Sequence, residues 1–287
     1  MASARDIWLR IRSIKNIQQI TKAMKMVAAA RLRRAQDRAL NSRPYMEKIR
    51  DLLGNVAGGV RGITHPFLEV RQVKSRVGYV VIAADKGLCG AYNSSVIKEA
   101  VAHMGQQSNA SIFAVGRKSR DYFKRRGYEI SQERIGFSDK PTHEDACAIA
   151  QAASDMYIRG EVDELFLVYT QFISPVQTKP ITIQLLPIAN GDVQGKALKV
   201  AYIFEPTADY ANEVLDLLLP KYLETLIYSA LLQAGASELG SRMMAMGNAT
   251  DNAQELIATL TLSYNKMRQA SITREIAEIV GGAEALK

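Results

Sequence analysis

The residues with the most chemical potential lie in one short run, Asp85-Lys86-Gly87-Leu88-Cys89-Gly90, between an apolar strand-like stretch and a helical one. A glycine-containing turn that opens a helix is a place where backbone N–H groups could cradle a phosphate. The spacing matches neither GxGxxG nor the GxxxxGK signature, and a tight strand-to-helix turn is the simpler account. His65, His103 and His143 are scattered, and no Ser/His/Asp or Cys/His arrangement is readable. Cys89 and Cys147 stand as isolated thiols without CxxC spacing or a neighbouring histidine cluster. Neither a zinc site nor a disulfide framework is suggested, and a reducing compartment is the default. No catalytic residue, metal or cofactor is therefore expected. Arg31, Arg33, Arg34 and Arg38 form a basic helical patch of the kind that binds nucleic acid, but the interleaved aromatic residues of such surfaces are missing.

The elements that must position these residues are unusual in length. Residues 5–53 and 221–287 hold very few glycines and prolines outside a small-residue stretch, and both read as helices. Rods of roughly 50 to 65 residues would run about 75 to 100 Å, and such helices need an apolar partner along their length. In the first, Ile7, Ile11, Ile14, Ile17, Thr21, Met24 and Ala28 recur at spacings of three and four. That period is near 3.5, which predicts a left-handed coiled coil. Pro44 permits a kink, and Gly58-Gly59 predicts the stop. In the second, Leu223, Leu226, Ala230, Leu231 and Ala234 keep helical spacing, and Leu256, Leu260, Tyr264, Met267 and Ala270 resume it. Between them lie Gly235, Ala236, Gly240, Ala245, Gly247 and Ala249, small residues that imply a close approach by another element.

From Gly78 to about Pro206 the texture changes to alternating β and α runs: GYVVIAA, a helix over 94–104, SIFAVG, RKSRDYFKRRG, a helix over 144–158, ELFLVYTQFI, PITIQLLPI and VAYIFEP. The alternation predicts a Rossmann-like three-layer α/β domain with a largely parallel sheet and a later antiparallel hairpin. The expected division is 1–60 for the first coiled-coil helix, 61–208 for the inserted α/β domain and 209–287 for the second helix. One compact insert between two rods makes them antiparallel. Setting Lys221 level with Gly58 carries the pairing to about Arg274, and the segment beyond overhangs. Its Ile276, Ile279 and Val280 form an apolar stripe that should sit inside a sleeve of another protein.

Charge is placed unevenly. Residues 1–50 carry a net +10 of the chain's +8, the remainder −2, and residues 209–287 alone −4. The rods complement one another, and the surplus positive charge should seek an acidic partner. The longest apolar runs fall far short of the roughly 18 to 20 residues of a bilayer span, so no direct membrane insertion is expected. The N-terminus lacks the apolar core of a secretion signal.

At this point the residues carry a resemblance. Ile20-Thr21-Lys22-Ala23-Met24-Lys25-Met26-Val27-Ala28, followed by Arg31-Leu32-Arg33-Arg34-Ala35-Gln36, resembles the start of the F-type ATP synthase gamma subunit family. The 85–90 run is similar to that family's D-R/K-G-L-x-G turn. Ala249-Thr250-Asp251-Asn252-Ala253 and the segment from Tyr264 to Thr273 resemble its C-terminal helix, and 272–283 fits I-T-x-E-x-x-E-x-x-x-G-A without a gap. The resemblance implies a non-catalytic central rotor stalk that couples ion flow through a ring of c subunits to catalysis on alpha and beta subunits. It implies alpha and beta partners in a 3:3:1 complex, an epsilon subunit and the c-ring, and a peripheral place on the cytoplasmic face of the cell membrane. Contacts with a beta-subunit loop carry over to Met24, Arg268, Gln269 and Thr273, and positions that tune coupling to Arg242 and Glu278. Lys25 stands where many relatives carry Glu, which adds positive charge beside that loop. The cysteine-bearing insert of the plant plastid form is absent, so thiol control is not implied. The rival reading from the residues alone is a basic coiled coil that binds nucleic acid.

Overall fold

A computed structural model describes residues 4–59, 65–71, 76–105, 109–137, 140–188 and 210–284. The expected strand VAYIFEP lies outside them. In chain order the elements are α1 (Ala4–Gly59), a 3-10 turn (Pro66–Leu68), β1 (Val77–Ile82), α2 (Tyr92–Met104), β2 (Ala110–Val115), α3 (Arg117–Arg125), β3 (Glu129–Arg134), α4 (His143–Ile158), β4 (Glu164–Phe172), β5 (Thr178–Leu186) and α5 (Tyr210–Glu284). The chain forms two compact units, one of residues 1–28 with 243–287 and one of residues 29–242.

The larger unit is built on a five-stranded sheet of order β3-β2-β1-β4-β5. The first four strands are parallel and β5 pairs antiparallel with β4. β1 and β2 are buried on every residue, which is why they read as unbroken apolar runs. On one face Tyr79, Val81, Ile112 and Ala114 pack against Val96, Ile97, Ala100 and Met104 of α2 and Phe123 of α3. On the other, Val80, Ile82, Phe113, Leu165 and Leu167 meet α4, Met46, Ile49 and Leu53 of α1, and α5 from Leu215 to Ala234. This is the expected three-layer arrangement, with the long helices supplying most of one layer. β3 escaped the sequence reading because it is an edge strand whose residues are exposed or half-buried and largely polar. Its Glu129, Glu133 and Arg134 discourage pairing with another chain.

The smaller unit is an antiparallel helix pair. Gln18 donates to the Gln254 side chain, the Thr21 and Thr250 hydroxyl oxygens are 2.9 Å apart, and Lys25 lies across Gly247. Two expectations are corrected here. Ile17 is exposed and Gln18 takes the seam position, while on α5 Leu256 is exposed and Ile257 faces inward. Ala270 is also exposed, and burial on α5 ends at Met267, not near Arg274. The register is thus displaced by about one heptad from the expected one. A slip of that size preserves every apolar layer, so the apolar pattern could not choose between the two. The hydroxyl pair chooses: in the expected register the buried Thr21 would face Ala258 and forfeit Thr250.

Candidate functional site

The 85–90 run is the first candidate. β1 delivers it to the carboxyl edge of the sheet, where open α/β folds take ligands. Its Asp85 accepts from the Arg117 N–H and the Gly136 N–H, both at 3.0 Å, and so ties the ends of three parallel strands together. Asn93 accepts from the Ala84 N–H at 2.9 Å. Leu88 and Gly90 adopt positive φ, of 60° and 56°. Gly116 closes the neighbouring β2 turn at φ 91°, and a β-carbon there would stand 2.0 Å from the Ala83 carbonyl oxygen. These turns serve close packing. The crevice that a nucleotide would need is filled by Leu231, Ala234, Gly235 and Glu238 of α5, which leave a void of about 10 Å³.

What α5 brings to this edge is a buried ion pair. Arg242 Nη2 donates to Glu238 Oε1 at 2.6 Å and to the Gly87 carbonyl at 3.2 Å. Both side chains are nearly sequestered from solvent. Burial, reinforced by the Glu238 charge, pushes the Cys89 thiol up and drives the Tyr92 hydroxyl well above the ordinary tyrosine range. Ser237 donates to the Thr170 carbonyl at 3.1 Å, and Gly240 admits the Pro175 carbonyl of the β4–β5 turn, 3.2 Å from where its β-carbon would be. The small residues of α5 therefore answer the sheet at this level. Glu238 escaped the sequence reading, although its i,i+4 spacing from Arg242 was a readable signal.

The remaining expected residues belong to the helix pair. Met24 is half-buried and Lys25 is exposed. Arg268, Gln269, Thr273 and Glu278 all lie on the stretch 268–283, every residue of which is exposed. The Thr273 hydroxyl donates to the Gln269 carbonyl of its own helix at 2.9 Å. Ile272, Ile276, Ile279 and Val280 follow one helical stripe and are 48%, 57%, 71% and 55% exposed. Arg31, Arg34 and Arg38 join Lys140 around a hollow of about 630 Å³ in the larger unit. The structure thus divides the expected residues into a buried clamp at Arg242 and an exposed set on α5, with Met24 half-buried in the seam and Lys25 exposed across Gly247.

Comparison with known proteins shows what the chain as a whole resembles. The ATP synthase family model matches residues 3–286. The chain is 50% identical over its full length, and that of the relative, to the ATP synthase gamma chain of Pelotomaculum thermopropionicum, and 49% identical, again over both full lengths, to that of Desulforamulus reducens. Among solved structures, a chain of the Euglena gracilis mitochondrial ATP synthase with OSCP, F1 and c-ring matches with a TM-score of 0.74 at 19% identity, covering 99% of this chain and 94% of that one. A chain of the Tetrahymena thermophila central stalk and c-ring matches at 0.61 and 27% identity, over 80% of this chain and 99% of that one.

Proposed function

The chain belongs to the ATP synthase gamma family, the non-catalytic central stalk of that complex, and from this premise we propose how its surfaces do the work. The exposed stripe Ile272, Ile276, Ile279 and Val280, on a length of helix that pairs with no other helix among the described residues, carries the reading. A single helix with an exposed apolar face gains little stability alone and gains much from a surrounding apolar wall. A ring of alternating alpha and beta subunits supplies that wall. Within it, Arg268, Gln269 and Thr273 on α5 and Met24 with Lys25 on α1 meet a beta-subunit loop, and Glu278 tunes the contact.

The mechanism is a coupling free energy. The helix pair is asymmetric around its own axis, with basic α1 on one side and α5 on the other. Each beta subunit therefore meets a different surface, which favours a different conformation and a different nucleotide affinity. Turning the shaft moves the favoured conformation to the next subunit. Torque has to leave α5 through something stiff, and the Arg242–Glu238 pair on the Gly87 carbonyl provides a link into the sheet. The α/β layers meet the epsilon subunit and the c-ring, and the hollow at Arg31, Arg34, Arg38 and Lys140 is electrostatically suited to an acidic surface.

No helix among the described residues is long and apolar enough to cross a membrane. The chain is a peripheral component of its complex, and we place it on the cytoplasmic face. The nucleic-acid reading is not favoured. The test is reconstitution: the chain is mixed with purified alpha and beta subunits, and size and native mass are measured with ATPase activity. One complex of three alpha, three beta and one copy of this chain, active where the chain alone is not, is the expected result. No assembly under conditions where a related gamma chain assembles would overturn the proposal.

A further inference from the structure

Both cysteines read as isolated in the sequence, yet folding brings one of them into a mixed donor set. His143 and Cys147 are four residues apart on α4 and share a face, with Cys147 Sγ 3.2 Å from His143 Nδ1. Glu224 of α5 completes the group, and one ligand atom from each of the three residues lies within 4.8 Å of the others. The set is wholly within the larger unit. We propose that His143, Cys147 and Glu224 form a binding site for a borderline-soft divalent cation, zinc above all, that ties α4 to α5.

The donor chemistry favours this choice. Thiolate and imidazole disfavour magnesium and calcium, while a thiolate, an imidazole and a carboxylate together suit zinc. Tetrahedral zinc with bonds of roughly 2.0 to 2.3 Å needs donors about 3.3 to 3.8 Å apart. The sulfur–nitrogen pair stands close to that spacing already, and the carboxylate needs only a modest side-chain adjustment. The positions are pre-set by backbone and packing. Thr142 caps α4, its hydroxyl accepting from the Asp145 N–H at 3.2 Å while the Asp145 carboxylate accepts from the Thr142 N–H at 2.8 Å. The His143 ring meets Tyr228 edge-on, with centroids 5.5 Å apart. Lys221 holds Glu224, with Nζ 2.8 Å from Oε2. The Lys221 side chain is 43% exposed, so its ammonium can swing into water as the cation takes its place.

Binding is a simple exchange. The cation bonds to Cys147 Sγ, the thiol proton leaves to solvent, and no oxidant is consumed. With three protein ligands the fourth position takes water, or a donor from another subunit. Because α4 belongs to the sheet layers and Glu224 to the long helix, the cation would cross-link two elements whose rigidity matters for carrying torque. The site itself stands or falls independently of the stalk function.

The test uses the reduced full-length chain and cobalt(II) as the probe, with zinc as the competitor. The expected result is one cobalt per chain, a near-ultraviolet thiolate-to-cobalt charge-transfer band and the visible bands of a four-coordinate ion, all bleached by one equivalent of zinc. Cys147→Ser should abolish the charge-transfer band and Cys89→Ser should leave it unchanged. His143→Gln and Glu224→Gln should each weaken binding by at least about tenfold, since even outer-shell partners act on that scale. Circular dichroism of each variant checks that it folds. A missing band in the wild-type chain, a band that survives Cys147→Ser, or one cobalt shared by two chains would each overturn the assignment.

Discussion

Arg242 and Glu238 show how much a single contact can decide. Neither charge could be left alone at this depth, because an unpaired carboxylate in a low-dielectric interior is strongly disfavoured. Arg242→Ala should therefore destabilise the larger unit by about 3 to 5 kcal/mol, whereas the double change Arg242→Met with Glu238→Gln should be far milder. Urea unfolding of the full chain followed by circular dichroism checks this, and equal losses in the single and double variants would count against the buried-pair account. A second residue contributes to the loss of stability at alkaline pH. Tyr79 is buried, stacks on Phe166 and has its hydroxyl 3.2 Å from His103 Nδ1. Burial first, and the Glu164 charge second, push its hydroxyl from 10.0 up to about 12. The folded state thus holds this proton more tightly than the unfolded chain does. The resulting stability is complete below about pH 10 and is lost as pH rises toward about 12. In Tyr79→Phe the fall in unfolding free energy across that window should be shallower, and an unchanged slope would exclude Tyr79 as a source.

At the level of elements, the sequence disclosed periodicity well and register poorly. α1 and α5 were legible because a 3.5-residue repeat survives for many turns, and the buried strands β1, β2 and β4 because their apolar runs are short and bounded by turns. β3 was not, since an edge strand has no burial to impose a pattern. Ile17 is more apolar than Gln18, yet Gln18 is the residue turned toward α5, where its amide donates to Gln254. The same logic explains why the candidate metal group stayed hidden: His143 and Cys147 were visible at i,i+4, but the carboxylate comes from a helix about 77 positions later, and only packing joins them. The polar layer has a measurable consequence. A polar residue in a coiled-coil seam specifies register at a cost in stability. Thr21→Val with Thr250→Val should raise the melting temperature of the helix pair and weaken its register. Cysteine cross-linking across the seam would report this as bridges at more than one offset, and a single offset would assign the register to other layers.

For the molecule as a whole, charge and apolar surface divide the labour of assembly. The first 50 residues hold a net +10 while the other 237 sum to −2, so the field of the chain is concentrated on α1. That field can guide encounter with an acidic partner over a range set by the Debye length, about 8 to 10 Å at physiological ionic strength. On the docking proposed above, the exposed stripe at Ile272, Ile276, Ile279 and Val280 would leave water, and burial of that kind responds far less to salt. The two terms should therefore separate kinetically. Raising salt should slow association of the chain with alpha and beta subunits by at least about tenfold, the lower bound for electrostatic steering, and leave dissociation nearly unchanged. Deleting residues 276–287 should do the reverse, hastening dissociation and sparing both the association rate and the folded sheet. Stopped-flow mixing and chase experiments on the two chains measure both rates. If salt acted mainly on dissociation, the contact that holds the complex would be ionic, and the apolar stripe would lose its place as the surface that seats the stalk.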